Sequence, residues 1–115
     1  MKKLLLTLVF LLISLFAFSQ KSPCKDDICV VQFNAGWNSS NDVKWMDELN
    51  DCGVQYIDIA TNTEAQNKYE IVVVPTIIVF NGKEVKRFQA DISFAMKATQ
   101  KDVQEVIDEI LMDQF

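Results

Sequence analysis

The chain contains no histidine. That removes the commonest general base and the commonest metal ligand at once, so composition excludes Ser-His-Asp catalysis, Cys-His catalysis and a typical zinc site. Cysteine is scarce too, with only Cys24, Cys29 and Cys52. Three thiols without histidine do not complete a four-ligand site, and neither a metal nor a cofactor is expected. Positive charge is also short: 11 Lys and Arg stand against 16 Asp and Glu, a net −5. No basic patch is present to release counterions from a phosphate backbone, which argues against nucleic acid and anionic membrane surfaces as partners. Internal repeats, low-complexity linkers and a second domain are missing as well.

There is one long hydrophobic run, at the N-terminus. Met1-Lys2-Lys3 leads into apolar residues from Leu4 to Phe18, broken only by Thr7 and Ser14. The run is shorter than the ~20 residues a spanning helix needs. Ala17-Phe18-Ser19 then places small residues where a signal peptidase reads, so residues 1–19 read as a signal peptide cut before Gln20. A retained anchor is the alternative. Lys21-Ser22-Pro23 lacks the context that a lipidated Cys24 would need. Cleavage leaves 96 of the 115 residues and removes Lys2 and Lys3, taking the net charge from −5 to −7. Residues 20–115 suffice for one compact domain, expected to be periplasmic or secreted with no stable membrane insertion.

Beyond a polar leader, Ile28-Cys29-Val30-Val31-Gln32-Phe33 reads as a strand covered on both faces. Ala35-Gly36-Trp37 turns the chain. Ser39, Ser40 or Asn41 can cap a helix with Val43, Met46 and Leu49 on one face, beside Trp45, with Gly53 as its left-handed terminator. Val54 to Ile59 alternates at period two and predicts a second strand. Thr63-Glu64-Ala65-Gln66 matches a capping box for a short helix through Tyr69. Pro75 stops continuation after the β-branched Val72-Val73-Val74. Thr76 to Phe80 and Val85 to Gln89 flank the hairpin signal Asn81-Gly82. Thr99-x-x-Asp102 caps a last helix that buries Val103, Val106, Ile107, Ile110 and Leu111. The order β-α-β-α-β-β-α predicts an α/β fold with a four-stranded mixed sheet and helices on both faces.

Two stretches carry a resemblance. Val30-Val31-Gln32-Phe33-Asn34-Ala35-Gly36-Trp37 looks like the central strand of the thioredoxin family running into the tryptophan before the active site. The segment from Lys68 to Val85, with Val74-Pro75-Thr76 and Asn81-Gly82 inside it, looks like that family's proline loop and terminal hairpin in uninterrupted register. The resemblance spans Ile28 to Leu111. It implies a thioredoxin-like fold, a cis bond before Pro75, and a groove in which backbone at Val74 pairs with an extended peptide. Read without the family, Pro75 is an ordinary trans proline opening a strand.

The same resemblance exposes what is missing. The family's Trp-Cys-x-x-Cys stands here as Trp37-Asn38-Ser39-Ser40-Asn41, and neither asparagine nor serine exchanges disulfides. Gln32 occupies the position of the family's buried carboxylate, and Tyr56 that of its lysine. The leading strand and helix of the larger form are absent. A serine nucleophile at Ser39 or Ser40 has no base beside it, so helix capping is the expected role. Asn38-Ser39-Ser40 also matches a glycosylation sequon.

An odd cysteine count in an exported chain implies one bridge and one free or intermolecular thiol. Cys29 and Cys52 fall at the starts of neighbouring parallel strands, at the pole opposite the functional loops of open α/β sheets, and Cys24 reaches the same pole. Cys24–Cys52 and Cys24–Cys29 both remain open as structural bridges, with buried Cys29 expected to stay free. Three roles follow: a peptide- or protein-binding module at the Trp37 and Pro75 groove, an oxidoreductase using Cys24 and Cys29, or a structural subunit. Asp91 to Ala98, carrying Ile92, Phe94 and Met96, reads either as an apolar contact surface or as core.

Overall fold

The computed structural model describes residues 22–114; the expected signal peptide lies outside them. Four strands form one sheet: β1 (Ile28–Asn34), β2 (Gly53–Asp58), β3 (Thr76–Asn81) and β4 (Lys83–Gln89). Their spatial order is β2-β1-β3-β4. β1 runs parallel to β2 and antiparallel to β3, while β3 and β4 are antiparallel. Among the described residues two α-helices join the sheet, α1 (Thr63–Lys68) and α2 (Gln100–Asp113). This is the predicted mixed sheet with helical cover on both faces.

The period-two alternation of β1 divides the core. Cys29, Val31 and Phe33 point to one side, where they pack with Ala65, Tyr69, Ile71, Val74, Ile78 and Phe80 beneath α1. Ile28 and Val30 point to the other, against Met46, Ile77, Val79 and the Val103, Ile107 and Ile110 stripe of α2. Each of those α2 side chains gains about 1.5–3 kcal/mol from burial, which holds the helix more firmly than its propensity would. Its start is fixed by a full capping box: Thr99 Oγ1 accepts from Asp102 N at 3.2 Å, and Thr99 N donates to Asp102 Oδ2 at 2.8 Å.

The first crossover differs from the expectation. No α-helix follows Trp37; the chain makes two 3-10 turns, Gly36–Asn41 and Met46–Glu48. Ser39, Ser40 and Asn41 cap nothing there, since Ala35 precedes the first turn without a side-chain cap. The reason is competition: Asn38, Asn41 and Asp42 bond to other side chains and backbone, and Val43 N donates to Gln32 Oε1 at 2.7 Å. Val43, Met46 and Leu49 are nevertheless buried as expected. From α2, Gln104 both accepts from Asn50 N at 2.8 Å and donates to Asn50 O at 3.2 Å, pairing with the irregular backbone as a strand would.

Smaller corrections follow from local chemistry. Gly53 does not terminate a helix; it opens β2, and Asp51 takes the left-handed conformation at φ 64°. A Cβ at Gly53 would run into the Asp26 carboxylate. Asn62 rather than Thr63 caps α1, accepting from Ala65 N at 3.1 Å. β4 starts at Lys83 because Gly82, at φ 79°, turns the chain alone. Phe80 pairs with Glu84 and Val79 with Lys86, so Val85 is the extra residue of a bulge.

Candidate functional site

The C-terminal end of β1 leads directly into the turn at Trp37, and the Val74–Pro75 loop enters β3 alongside it. Parallel pairing of β1 with β2 and antiparallel pairing with β3 bring Asn34, Asp58 and Thr76 to one end of the sheet. The Val74–Pro75 peptide bond is cis. Val74, Pro75 and Thr76 are buried, and Thr76 Oγ1 donates to Val73 O at 2.7 Å, tying the loop to the strand it opens.

Trp37 is 68% exposed and lies edge-on to Phe94, with ring centroids 5.4 Å apart at 89°. The two rings, with Val72, Val73 and Val74, line a cleft of about 220 Å³. That volume takes a side chain or two of a peptide rather than a drug-sized ligand. Val72 and Ile92 extend the apolar surface, at 82% and 99% exposed. The segment from Asp91 to Ala98 thus splits between both expected readings: Ile92 and Phe94 face outward, while Met96 packs on the α2 side of the core.

Phe94 reaches Trp37 through a turn with positive φ, 62°, an uncommon setting for an aromatic residue. Asp91 holds the turn. Its carboxylate accepts from Ser93 N at 2.8 Å and from the Ser93 hydroxyl, and pairs with Lys97 at 3.4 Å. The Ser93 hydroxyl, then the Ser93 N–H, then Lys97 lower the Asp91 pKa from 3.8 to about 2.

Behind the tryptophan, the expected helix N-terminus is replaced by a network of amides. Asn38 is only 4% exposed. Its Nδ2 donates to Asn34 Oδ1 at 3.0 Å and to Phe94 O at 3.3 Å, and its Oδ1 accepts from Asn41 Nδ2 at 2.7 Å. Asn34 Nδ2 and Gln32 Nε2 both donate to Asp42 Oδ1, at 2.6 and 3.1 Å. Ser39 and Ser40 are exposed and stand apart from this chain of bonds. Asn38 and Asn41 are thus hydrogen-bonded amides that neither titrate near neutrality nor exchange electrons. The links to Asn34, Asp42 and Phe94 were not legible in the sequence; the bond to Phe94 joins residues 56 apart.

At the other pole, Cys24 and Cys29 form a disulfide with Cα atoms 6.4 Å apart, leaving Cys52 free. The expectation that Cys29 stays free is thereby corrected. Cys24 packs against the same core cluster as Cys29, whereas Cys52 sits on the opposite face of the sheet. The Cys52 thiol is pushed up by burial, then by Asp51 and Asp26, which disfavours a thiolate. Tyr56 is 51% exposed and donates to Asp47 Oδ1 at 3.0 Å. Its hydroxyl is raised by desolvation, then by that bond and the charges of Asp47 and Asp42. Among the described residues, no group of three or more His, Cys, Asp or Glu side chains is placed to hold a metal ion.

No protein-family model matches the chain. No curated protein matches it either. Solved structures do. A point-mutant thioredoxin from Halobacterium salinarum NRC-1 is 21% identical, covering 73% of this chain and 74% of its own, with a TM-score of 0.59. A thioredoxin from Schistosoma mansoni is 24% identical over 85% of each chain, at 0.56. One from Fasciola hepatica is 24% identical over 88% of this chain and 89% of its own, at 0.53. At these identities the likeness carries the fold alone: the chain has a thioredoxin-like fold with a Cys24–Cys29 disulfide.

Proposed function

We propose that the protein is an exported binding module, periplasmic or secreted after cleavage before Gln20, that holds an extended peptide or protein segment without disulfide turnover. The observation that carries this reading is the pairing of exposed Trp37 with Phe94 beside Val72, Val73 and Val74. Aromatic rings on a rigid base supply large contact area at small entropic cost, and the backbone next to Pro75 offers strand-like pairing to a peptide. Asn38 and Asn41, fixed in the network beneath, support the tryptophan turn in place of the lost redox pair.

A second reading, thiol–disulfide exchange by Cys24 and Cys29, is favoured by the bond between them. It ranks lower because Cys29 is fully buried. Attack by an external thiolate on Cys24 Sγ would expel Cys29 as a thiolate into apolar surroundings, a poor leaving group.

Panning a displayed library of random heptapeptides on the wild type and on Trp37→Ala separates the two. The binding reading expects enrichment on the wild type, lost about tenfold or more in the variant as an exposed aromatic anchor is removed, together with no reduction of a disulfide substrate. Turnover that disappears in Cys24→Ser, without enrichment on Trp37, would overturn it. N-terminal sequencing of the exported protein tests the cleavage, with Gln20 expected first.

A further inference from the structure

The sheet has two edges, and they are built differently. β4 presents Lys83, Glu84, Lys86 and Arg87 along seven residues and carries the bulge at Val85. Charges and bulges on an edge strand block pairing with other chains. β2, at the opposite edge, reads Gly53-Val54-Gln55-Tyr56-Ile57-Asp58, with one charge at its last residue and neither proline nor bulge. Among the described residues nothing pairs with its outer side. Ser22 N–H donates to Gly82 O at 3.0 Å in the β3–β4 turn, and of residues 22–27 Asp26 lies against Gly53, at the first residue of β2.

The surroundings of that edge are acidic. Residues 42–58 hold Asp42, Asp47, Glu48, Asp51 and Asp58 against Lys44 alone, and Asp26 lies on Gly53. Two acidic edges repel each other, which disfavours a second copy of this chain as the occupant. Both faces of β2 also offer acceptors. On the α1 side, Gln55 Oε1 is buried without a hydrogen-bond partner. On the other, Tyr56 and Asp58 line a cavity of about 270 Å³ with Asp42, Gln32, Asn34 and Ser39. A strand laid beside β2 would stand its side chains about 5 Å from Gln55 and Tyr56, within reach of both sets.

We propose that the free edge of β2 receives an extended, lysine- or arginine-rich segment of a partner protein as a fifth strand of the sheet. Backbone pairing supplies the fit, the acidic rim steers the basic segment in, and a lysine or guanidinium reaches the cavity at Asp42 and Asp58. The strand position beside β2 differs from the side of the Trp37 groove formed by residues 72–76, although its cavity adjoins the groove at Ala35.

The probe is the acetylated, amidated peptide Lys-Val-Lys-Val-Lys-Val-Lys, followed by amide NMR on the full chain. Binding is expected to shift the amides of residues 53–58 and leave 72–76 in place, and to weaken with added salt. The double variant Asp47→Asn/Asp51→Asn removes two charges while keeping an acceptor for Tyr56 and a residue suited to the positive φ at position 51. It is expected to weaken binding about fivefold, while Trp37→Ala leaves it unchanged. The proposal is overturned by no binding, by equal binding of a glutamate counterpart or of a peptide N-methylated at alternate residues, or by unchanged affinity in the double variant. Shifts confined to 72–76, or a concentration-dependent dimer occupying 53–58, overturn it too.

Discussion

Asn38 shows how much one residue holds at this site. Its side chain is bonded to Asn34, Asn41 and the Phe94 carbonyl, and it is buried. Asn38→Ala would leave those partners without the bonds it supplies. A cost of about 2–3 kcal/mol is expected by chemical denaturation, larger than the typical surface substitution. Ser39→Ala, by contrast, is expected to change stability by less than about 0.5 kcal/mol. From the sequence, Gln32, Asn38 and Asn41 were recognisable as departures from the family pattern, because the motif register locates them. That they bond into a continuous network was not, since Asn34, Asp42 and Phe94 reach it only through the fold. The disulfide partner of Cys24 was open for the same reason: strand polarity places all three cysteines at one pole, but only side-chain direction decides that Cys29 and not Cys52 shares a face with Cys24.

Among the elements, strands and the capped last helix were legible because period and capping signals agree with tertiary packing. The first crossover was not. Val43, Met46 and Leu49 have helical spacing and are buried, yet the run from Asn38 to Asp42 favours local side-chain bonds over an α-helical ladder. The turn from Asp91 to Lys97 had no periodic signal to read, and it carries Phe94. Its behaviour with acid can be stated. The Asp91 pKa falls from 3.8 to about 2 on folding, so the charged carboxylate stabilises the turn above pH 3.8, and that contribution is lost as pH drops through about 2. Carboxyl-carbon NMR is expected to show Asp91 titrating in this window, with the Phe94 ring signals changing alongside it. Ser93→Ala removes the largest cause and is expected to move the titration up toward 3.8. An Asp91 that titrates unchanged in Ser93→Ala would refute this account.

At the scale of the molecule, the bridge and the groove stand at opposite ends of β1. Its seven residues put them about 20 Å apart. The disulfide therefore acts on stability rather than on the groove. Cys24→Ser is expected to cost about 2 kcal/mol, the chain-entropy value for so short a loop. Cys29→Ser is expected to cost more, because it also leaves a hydroxyl in an apolar core. Denaturation curves check the order, and in a Trp45→Phe background the Trp37 emission at neutral pH is expected to be the same in oxidised and reduced protein. The turn from Asp91 to Ala98 has a different consequence, for resistance to proteolysis. It joins β4 to α2, contributes no strand, and leaves Ile92 almost wholly uncovered. A protease that nicks it leaves both halves of the sheet-and-helix core in place, since α2 stays docked through Val103, Ile107 and Ile110. Phe94, however, then keeps only its bond to Asn38 and its contact with Trp37, without the closed turn that Asp91 holds. Proteolytic ageing would thus loosen one wall of the groove while the fold still stands.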